Sequence, residues 1–349
     1  MKIIKLLAYN IIPFLMCLIF MGCSREGIEE TREGEDTLVN LEIDVALSDV
    51  PVRRRNSEQA SNENEKMKTL RIVVVRPDNT VEANRLLELS SAVETYGNVL
   101  FKVVGKETKR IYLFVNEETM IPTKETGVFR KLLKEDLSAI YVGLPFPENK
   151  LGGLTIQLDN NSEQILGPLP MSECHKVEVA DSDVYCRLYV TRAAVKFSFC
   201  IINRTDSDRV FTGLSIDKMA RREYYLPKDT KYNENKEITE YAVPTIGSNE
   251  YYTFERKENI RLPVGQEITL DPIYLLEGKY TDPGGDPRNY RMSISLDKGA
   301  VLSDYFPDLS YLPRNTHVVV KIIINDNRVD WQVDLEPYGE VVLKPDFGL

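Results

Sequence analysis

The chain has 349 residues, and 44 Lys and Arg against 54 Asp and Glu give a formal net charge of −10 at pH 7. Such an acidic balance argues against nucleic acid and anionic lipid surfaces as partners, because both are negatively charged. The length predicts two domains, since one domain usually has about 100–200 residues. Composition alone therefore indicates an acidic, folded, two-domain protein that does not bind nucleic acid.

Residues 1–22 have the layout of a lipoprotein signal peptide. Lys2 and Lys5 form a positive start, and the apolar run over 6–21 is too short and too interrupted for a confident membrane-spanning helix of about 20 residues. The run ends at Gly22-Cys23, and a small residue before a cysteine resembles a lipoprotein processing box. We expect Cys23 to be lipidated; an ordinary signal peptide with an incidental cysteine is the alternative.

Residues 23–37 are polar and rich in Glu, without an apolar period, which predicts a flexible tether. Fully extended, it reaches roughly 45–50 Å, at about 3.3–3.6 Å per residue. The tether lets a folded body stand clear of the lipid headgroups. Ser24 after the cysteine is compatible with sorting to an outer membrane.

The first predicted strand has apolar residues on one face only. Polar residues and Ala46 alternate with this apolar face, which consists of Val39, Leu41, Ile43, Val45 and Leu47. A period of two is typical of a half-buried strand. A polar loop over 49–68 follows and contains Arg53, Arg54 and Arg55. The sequence therefore predicts a strand followed by an accessible basic loop.

The rest of the body is predicted to be mostly β-structure. A helix is predicted only at 128–138, where Phe129, Leu132, Leu133 and Leu137 share a face. Further strands are predicted at 70–75, 99–104, 110–115, 153–158, 176–179, 195–201, 209–216, 267–276, 289–296, 315–325 and 328–335. The fold class is all-β, with two stacked antiparallel β-sandwich domains over residues 38–188 and 189–349.

The last of these strands also has one apolar face. Its polar residues alternate with Val329, Trp331, Val333 and Leu335. A role as the final strand of the second sandwich explains this alternation fully. It is also a candidate for pairing with another chain, because both uses need the same alternation.

Catalytic chemistry is not indicated. His175 and His317 are the only histidines, and no nucleophile elbow, metal-binding histidine pair or phosphate-binding loop accompanies them. Asp282 and Asp286 are separated by Pro and Gly, which favours a turn over a calcium site. We expect no enzyme activity, no cofactor and no metal.

The remaining cysteines and tyrosine pairs leave alternatives open. Cys174, Cys186 and Cys200 are an odd set, so they favour free thiols, with a bridge between Cys186 and Cys200 as the alternative. The pairs at 224–225 and 251–252 are candidate binding platforms, although tyrosine pairs in strands usually pack against neighbouring strands.

Short segments along the chain resemble a known family. They are 69–75, 110–116, 169–172, 192–196, 312–316, 337–339 and 345–349. In this order, after the lipobox, they resemble the fimbrillin-type proteins of type V pili from Gram-negative gut and oral anaerobes. The segment 312–316 and the Phe-Gly-Leu end are most similar to the minor, anchor-type subunits.

The resemblance implies transthyretin-like sandwiches and a structural role in a surface fimbria. It implies assembly with other pilins by strand addition, and adhesion to host or bacterial surfaces. In stem subunits, cleavage at arginines such as Arg53, Arg54 or Arg55 removes the first strand, here Val39 to Leu47. Anchor subunits keep both lipid and first strand, so this chain is expected at the outer membrane. A processed stem or tip pilin and a stand-alone surface lipoprotein that binds glycan or host protein remain the alternatives.

Overall fold

The computed structural model describes residues 37–48, 62–122, 129–131, 133–158, 160–232, 238–242, 251–277, 290–306, 312–326 and 328–336. Cys23, Arg53, Arg54 and Arg55 lie outside the described residues. The same holds for Asp282 and Asp286 and for residues 337–349. The predictions that rest on them stay predictions.

The first part of the chain is built from strands with two short helices. The strands are β1 Leu38–Leu47, β2 Met67–Val75, β3 Val81–Val93, β4 Thr95–Val104, β5 Glu107–Val115, β6 Met120–Pro122, β7 Phe129–Lys131, β8 Thr155–Gln157, β9 Met171–Val179 and β10 Val184–Arg192. The helices are α1 Lys134–Ser138 and α2 Glu148–Gly152.

The regular secondary structure described for the second part consists of strands and one 3₁₀ turn at Asp297–Gly299. Its strands are β11 Val195–Asn203, β12 Arg209–Ala220, β13 Arg222–Tyr224, β14 Lys228–Tyr232, β15 Ile238–Ala242, β16 Tyr251–Leu262, β17 Glu267–Leu275, β18 Arg291–Leu296, β19 Val301–Tyr305, β20 His317–Ile324 and β21 Val329–Glu336. The all-β prediction is confirmed.

The first part forms a seven-stranded sheet in the order β3-β2-β5-β9-β10-β1-β4. Strand β10 changes partner along its length, since residues 184–190 pair with β1 whereas Thr191 and Arg192 pair with β9. The two edges also meet, because the Arg85 guanidinium lies over the Phe101 ring at 4.8 Å. The sheet therefore curls around its apolar face until β3 and β4 touch through side chains.

The second part forms two four-stranded sheets, β17-β11-β20-β21 and β16-β12-β18-β19. Phe197 of β11 and Phe211 of β12 are fully buried, and Phe197 stacks on Phe306 at 6.3 Å. Most strand pairs are antiparallel, as predicted, and two are parallel. Strand β1 is parallel to β10, and β11 is parallel to β20.

The predicted boundary between 188 and 189 lies inside β10, which runs without interruption to Arg192. The first large sheet ends there, and the second group of sheets begins at Val195. Strand β8 of the first part nevertheless pairs with β13 of the second, and Leu38–Leu349 forms one compact unit. Ala193 and Ala194 therefore mark the change of sheet; the division into two domains stays a prediction.

The helix prediction at 128–138 is wrong over its first part. Phe129–Lys131 is a strand paired with Met120–Pro122, and the helix begins at Lys134, after Leu133 with φ of +61°. Pairing with a neighbouring strand overrides the local apolar period there. No helix in the described part of the chain is long and apolar enough to cross a membrane.

Candidate functional site: the groove around the first strand

Strand β1 occupies a groove between β4 and β10. It is antiparallel to β4 and parallel to β10, so that Leu41 lies opposite Phe101 and Val184. Two residues further along β1, Ile43 lies opposite Val99 of β4. Because both backbone edges of β1 are paired, the first strand of the chain is a central strand of its sheet. Its removal would leave two unpaired strand edges facing each other.

The buried face of β1 is apolar along its whole length. Each side chain on this face is at most 5% exposed, namely Val39, Leu41, Ile43, Val45 and Leu47. The opposing walls are equally buried and consist of Val99, Phe101, Val103, Leu188 and Val190. Burial of one such side chain contributes about 1.5–3 kcal/mol, as an upper estimate. The predicted half-buried strand is confirmed, and hydrophobic burial is its main attachment.

The polar face of β1 makes a two-point contact near its start. The backbone N–H of Asn40 donates to Asp183 Oδ1, and the Asn40 side-chain amide donates to Asp183 Oδ2, both at 2.9 Å. These bonds favour the ionised carboxylate and lower the pKa of Asp183, with the side-chain amide as the largest cause. The contact is exposed and fixes the register of β1 against the start of β10.

A second polar contact lies four residues further along. Asp44 Oδ1 accepts from the backbone N–H of Asn98 at 2.9 Å, and Asp44 Oδ2 accepts from the Tyr185 hydroxyl at 2.8 Å. The bond to Asp44 raises the pKa of Tyr185, since ionised tyrosine has no proton to donate. A Cβ at Gly97 would lie 2.5 Å from Asp44 Oδ1. Glycine is therefore needed for this close approach.

The carboxyl end of β1 is held by the second part of the chain. The Ser48 N–H donates to Val190 O at 2.9 Å, and the Ser48 carbonyl accepts from the Asn315 side-chain amide at 2.6 Å. Asn315 Oδ1 in turn accepts from Arg192 Nη1 at 2.9 Å. Asn315 has a positive φ of 59°, which asparagine tolerates better than most residues. The end of β1 thus contacts the loop that precedes β20.

Arg192 connects this contact to a buried ion pair between Lys196 and Glu65. Lys196 Nζ and Glu65 Oε1 are 2.7 Å apart, and the Tyr274 hydroxyl donates to the same oxygen at 2.7 Å. Arg192 Nε donates to the Glu65 carbonyl at 3.0 Å. Burial lowers the pKa of Lys196, because a low dielectric disfavours the ammonium. A buried pair like this is costly to break, since either partner alone is an uncompensated charge.

Two of the segments that carry the family resemblance meet here. Asn315 N–H donates to Ala194 O at 2.8 Å, and Lys196 N–H donates to Thr316 O at 2.9 Å. The sequence identified 192–196 and 312–316 as distinctive but not as neighbours. Nothing local signals contacts between residues more than 100 positions apart.

The last predicted strand is an edge strand. Among the strands that the structure describes, β21 pairs only with β20, with Val333 opposite Val320 and Trp331 opposite Ile322. Val329, Trp331 and Val333 are half-buried, whereas the side chain of Leu335 lies outside the described set. The predicted alternation is confirmed over 331–334, and the donor role stays a prediction.

Both histidines are packed into the sheets. His175 Nε2 lies 2.6 Å from Tyr189 O, and His317 Nε2 lies 2.9 Å from Ser198 Oγ. Each is at most 3% exposed. Their side chains stabilise the sheets and do not face solvent.

The tyrosine pairs do not form exposed platforms. Tyr225 and Tyr252 are buried, and their neighbours Tyr224 and Tyr251 are half-buried. The Tyr225 hydroxyl donates to Met171 O at 3.2 Å. These tyrosines pack between strands, which favours the structural interpretation over a binding surface.

The three cysteines are free thiols. Burial raises the pKa of Cys174, of Cys186 and of Cys200 to about 12 in each case, because the thiolate is disfavoured away from water. Within the described ranges, no group of three His, Cys, Asp or Glu residues is placed to hold a metal ion.

A second buried charge cluster lies in the second part of the chain. Arg314 donates its backbone N–H to Glu277 Oε2 at 2.7 Å and its Nη1 to Tyr225 O at 2.9 Å. Glu223, 2% exposed, lines the same small cavity. Burial, and then the Glu277 charge, raise the pKa of Glu223 to about 9. Local sequence patterns did not predict this cluster, because Glu223 and Glu277 are two of 54 Asp and Glu residues in the chain.

Comparison with known proteins identifies the fold. No family model matches the sequence, and no curated protein matches it. A candidate cell adhesion protein from Parabacteroides distasonis is similar in structure, with a TM-score of 0.58, 14% identity, and coverage of 88% of this chain and 99% of that one. The tip fimbrial protein Mfa3 from Porphyromonas gingivalis, truncated at its C terminus, has a TM-score of 0.51, 10% identity, and coverage of 85% and 99%.

A further candidate cell adhesion protein from Parabacteroides distasonis has a TM-score of 0.50 at 10% identity, with coverage of 86% of this chain and 99% of that one. At these identities the likeness establishes the fold. The chain has the all-β architecture of these adhesion and fimbrial proteins, as the family resemblance implied.

Proposed function

We propose that this protein is a structural subunit of a surface fimbria that assembles with other pilins by β-strand addition. The observation that carries this proposal is the position of β1. It is a central strand with one apolar face, it is paired on both edges, and it lies at the amino end of the folded body. A groove of this kind accepts a strand from another subunit, because backbone bonds supply affinity and alternate side chains supply register.

The structural neighbours support the proposal. One of them is a tip fimbrial protein and others are candidate cell adhesion proteins, and each matches over nearly its whole length. Strand addition is a head-to-tail contact that does not close on itself, so repeated use makes a filament. Adhesion to host or bacterial surfaces follows as the role of the assembled fimbria.

Within this role we propose the membrane-anchoring or accessory position. Cys23 as a lipidated residue and residues 23–37 as a tether attach the body to the outer membrane, since two or more acyl chains give stable anchoring. A chain that keeps its lipid and β1 can begin or end a filament at the membrane. Cleavage at Arg53, Arg54 or Arg55 instead makes a polymerising stem or tip subunit.

The amino terminus of the native protein tests these positions. Mass spectrometry on membrane and sheared-filament fractions is expected to find acylated Cys23 still joined to β1, enriched at the membrane and at filament bases. If the protein in filaments begins at Arg54, Arg55 or Asn56, it is a stem or tip subunit and not the anchor. An intact lipoprotein that never copurifies with filaments overturns the fimbrial role.

A matched pair of variants controls for protease access. Replacing Arg53, Arg54 and Arg55 by Lys keeps the charge and removes the three sites for an arginine-specific protease in the loop after β1. Replacing Cys23 by Ser removes the lipidation site and leaves the loop intact. In an anchor, the arginine change is expected to leave location and filaments unaltered, whereas the cysteine change releases the protein from the membrane.

A further inference from the structure

The polar rim of the groove presents two different pairs of hydrogen-bonding groups. Near the start of β1, Asp183 offers two carboxylate oxygens, and both accept from Asn40. Near residue 44, the Tyr185 hydroxyl and the Asn98 N–H offer two donors, and both bond to Asp44. The rim is therefore an acceptor pair at one end and a donor pair at the other.

We propose that Asp183, Tyr185 and the Gly97-Asn98 backbone form a clamp that selects the strand in the groove. The clamp selects an extended segment with alternating apolar residues, a side-chain amide at the position of Asn40 and a carboxylate four residues later. This inference rests on the proposed function and concerns the cleaved form, because another strand can replace β1 only after β1 has been released. The clamp adds hydrogen-bond recognition at positions 40 and 44 to the recognition of the apolar face.

The groups that surround positions 40 and 44 disfavour an exchange of the amide and the carboxylate between these two positions. A carboxylate at position 40 would face the Asp183 carboxylate, and like charges at this distance repel. An amide at position 44 accepts with only one oxygen, so one of the two donors loses its partner. Gly97 leaves room for the acid, because any side chain there would meet it. Order along the strand therefore matters as well as composition.

The last strand of the chain meets the same requirements. Residues 39–44 read apolar, amide, apolar, acid, apolar, acid, and residues 331–336 repeat these classes in the same order. Among the strands that the structure describes, only β1 and β21 carry this pattern. In this alignment Gln332 takes the place of Asn40 and Glu336 takes the place of Asp44. The occupant is therefore β21 of a second copy, an edge strand with one paired neighbour in its own sheet.

Peptide exchange tests the clamp in the full chain. A site for a highly specific protease is inserted after Arg55, the loop is cut, and labelled peptides compete with the nicked β1. The probes are peptides of residues 38–48 and 329–336. Their matched controls exchange the two polar groups, as N40D with D44N and Q332E with E336Q, so that composition and charge do not change.

Both native peptides are expected to bind, and each swapped peptide is expected to bind at least about tenfold more weakly. In the receptor, Asp183→Ala with Tyr185→Phe is expected to remove this preference, because the native peptides lose their bonds and the swapped peptides no longer meet the Asp183 carboxylate. Binding of the β1 peptide with the preference, but no binding of the β21 peptide, overturns the second copy as occupant.

The same assay separates the two proposals. Equal binding of native and swapped peptides overturns the clamp and leaves strand addition intact, because the groove then recognises only the apolar face. Failure of the 38–48 peptide to enter the groove at any concentration overturns strand exchange itself, and the clamp with it.

Discussion

The first strands of the two parts of the chain occupy the same place and differ in what holds them. β1 lies between an antiparallel and a parallel neighbour, β4 and β10, and β11 lies between β17 and β20 in the same way. In β1 the residues at 40, 42 and 44 are only half-buried, whereas in β11 every residue except Ser198 is buried.

The connections differ as well. β11 follows β10 after two residues and carries Lys196, which forms the buried pair with Glu65. β1 is separated from β2 by about twenty residues that include the arginines. The same topology thus holds two strands with different surroundings. β11 is buried on both faces and has a short connection to β10, whereas β1 is fully buried on one face only and has a long connection to β2.

The largest expected effect comes from an acid in the apolar face of each strand. Ile43→Asp and Phe199→Asp each should cost about 4–5 kcal/mol or more, because each buries a carboxylate and leaves a cavity. A peptide of residues 38–48 should restore the melting temperature of Ile43→Asp, and a peptide of residues 195–203 should not restore that of Phe199→Asp. If peptides restore the melting temperature of both variants, or of neither, β1 and β11 do not differ in how readily they are replaced.

A smaller effect is expected where the two parts meet. Asn315→Ala should cost about 2–3 kcal/mol, since it removes the bonds to Ser48 and Arg192 and strains a backbone at φ of 59°. Asn315→Gly loses the same bonds without the strain, so it should cost about 1 kcal/mol less. Urea unfolding measures both. Equal costs would show that backbone conformation at this position contributes nothing.

The buried acid of the second part gives a pH dependence. The pKa of Glu223 is raised to about 9 from 4.5, so folding favours the neutral acid, and its contribution is lost as pH rises from about 4.5 through 9. Glu223→Gln mimics the neutral form, so its free energy of unfolding should rise relative to that of the parent as pH increases from 5 to 9. Thermal melts from pH 5 to 9 measure the gap.

The exposed residue Glu178 supplies the control for that series. Glu178→Gln makes the same chemical change at a side chain that faces solvent, so it measures the effect of a Glu-to-Gln change without burial. A gap between Glu223→Gln and the parent that stays constant with pH would contradict a neutral Glu223.

The smallest effect is expected at the rim of the β1 groove. Gly97→Ala should cost about 1 kcal/mol or less, because the new methyl group meets the end of the Asp44 side chain, which can rotate away. Adding Asp44→Ala should remove that cost, and a double-mutant cycle measures the coupling. If the effects of the two substitutions on the free energy of unfolding simply add, the new methyl group does not act through Asp44.

The sequence predicted the parts of the fold that repeat locally. The alternation in β1 and β21 identified each strand and its apolar face, because a strand whose two faces differ in exposure has a period of two. β3 went unpredicted, since it is an edge strand whose exposure follows no clean alternation. The helix at 128–138 was overextended because its first residues pair with β6.

The candidate site was predicted only in its apolar half. Val39 to Leu47 carry their own signal, but the walls of the groove come from β4 and β10, and Asp183 lies 143 residues from Asn40. The polar contacts of Asn315 and Glu65 depend likewise on strand neighbours that local patterns do not specify. The parallel pairing of β1 with β10 also needs knowledge of the whole topology.

The double pairing of β1 has a mechanical consequence. A pull on its amino end along the strand axis loads the ladders to β4 and β10 in shear, so many hydrogen bonds share the force at once. A pull that peels β21 sideways from β20 breaks the bonds of a single ladder one after another. The amino end of the folded body is therefore the end that better resists tension along the chain.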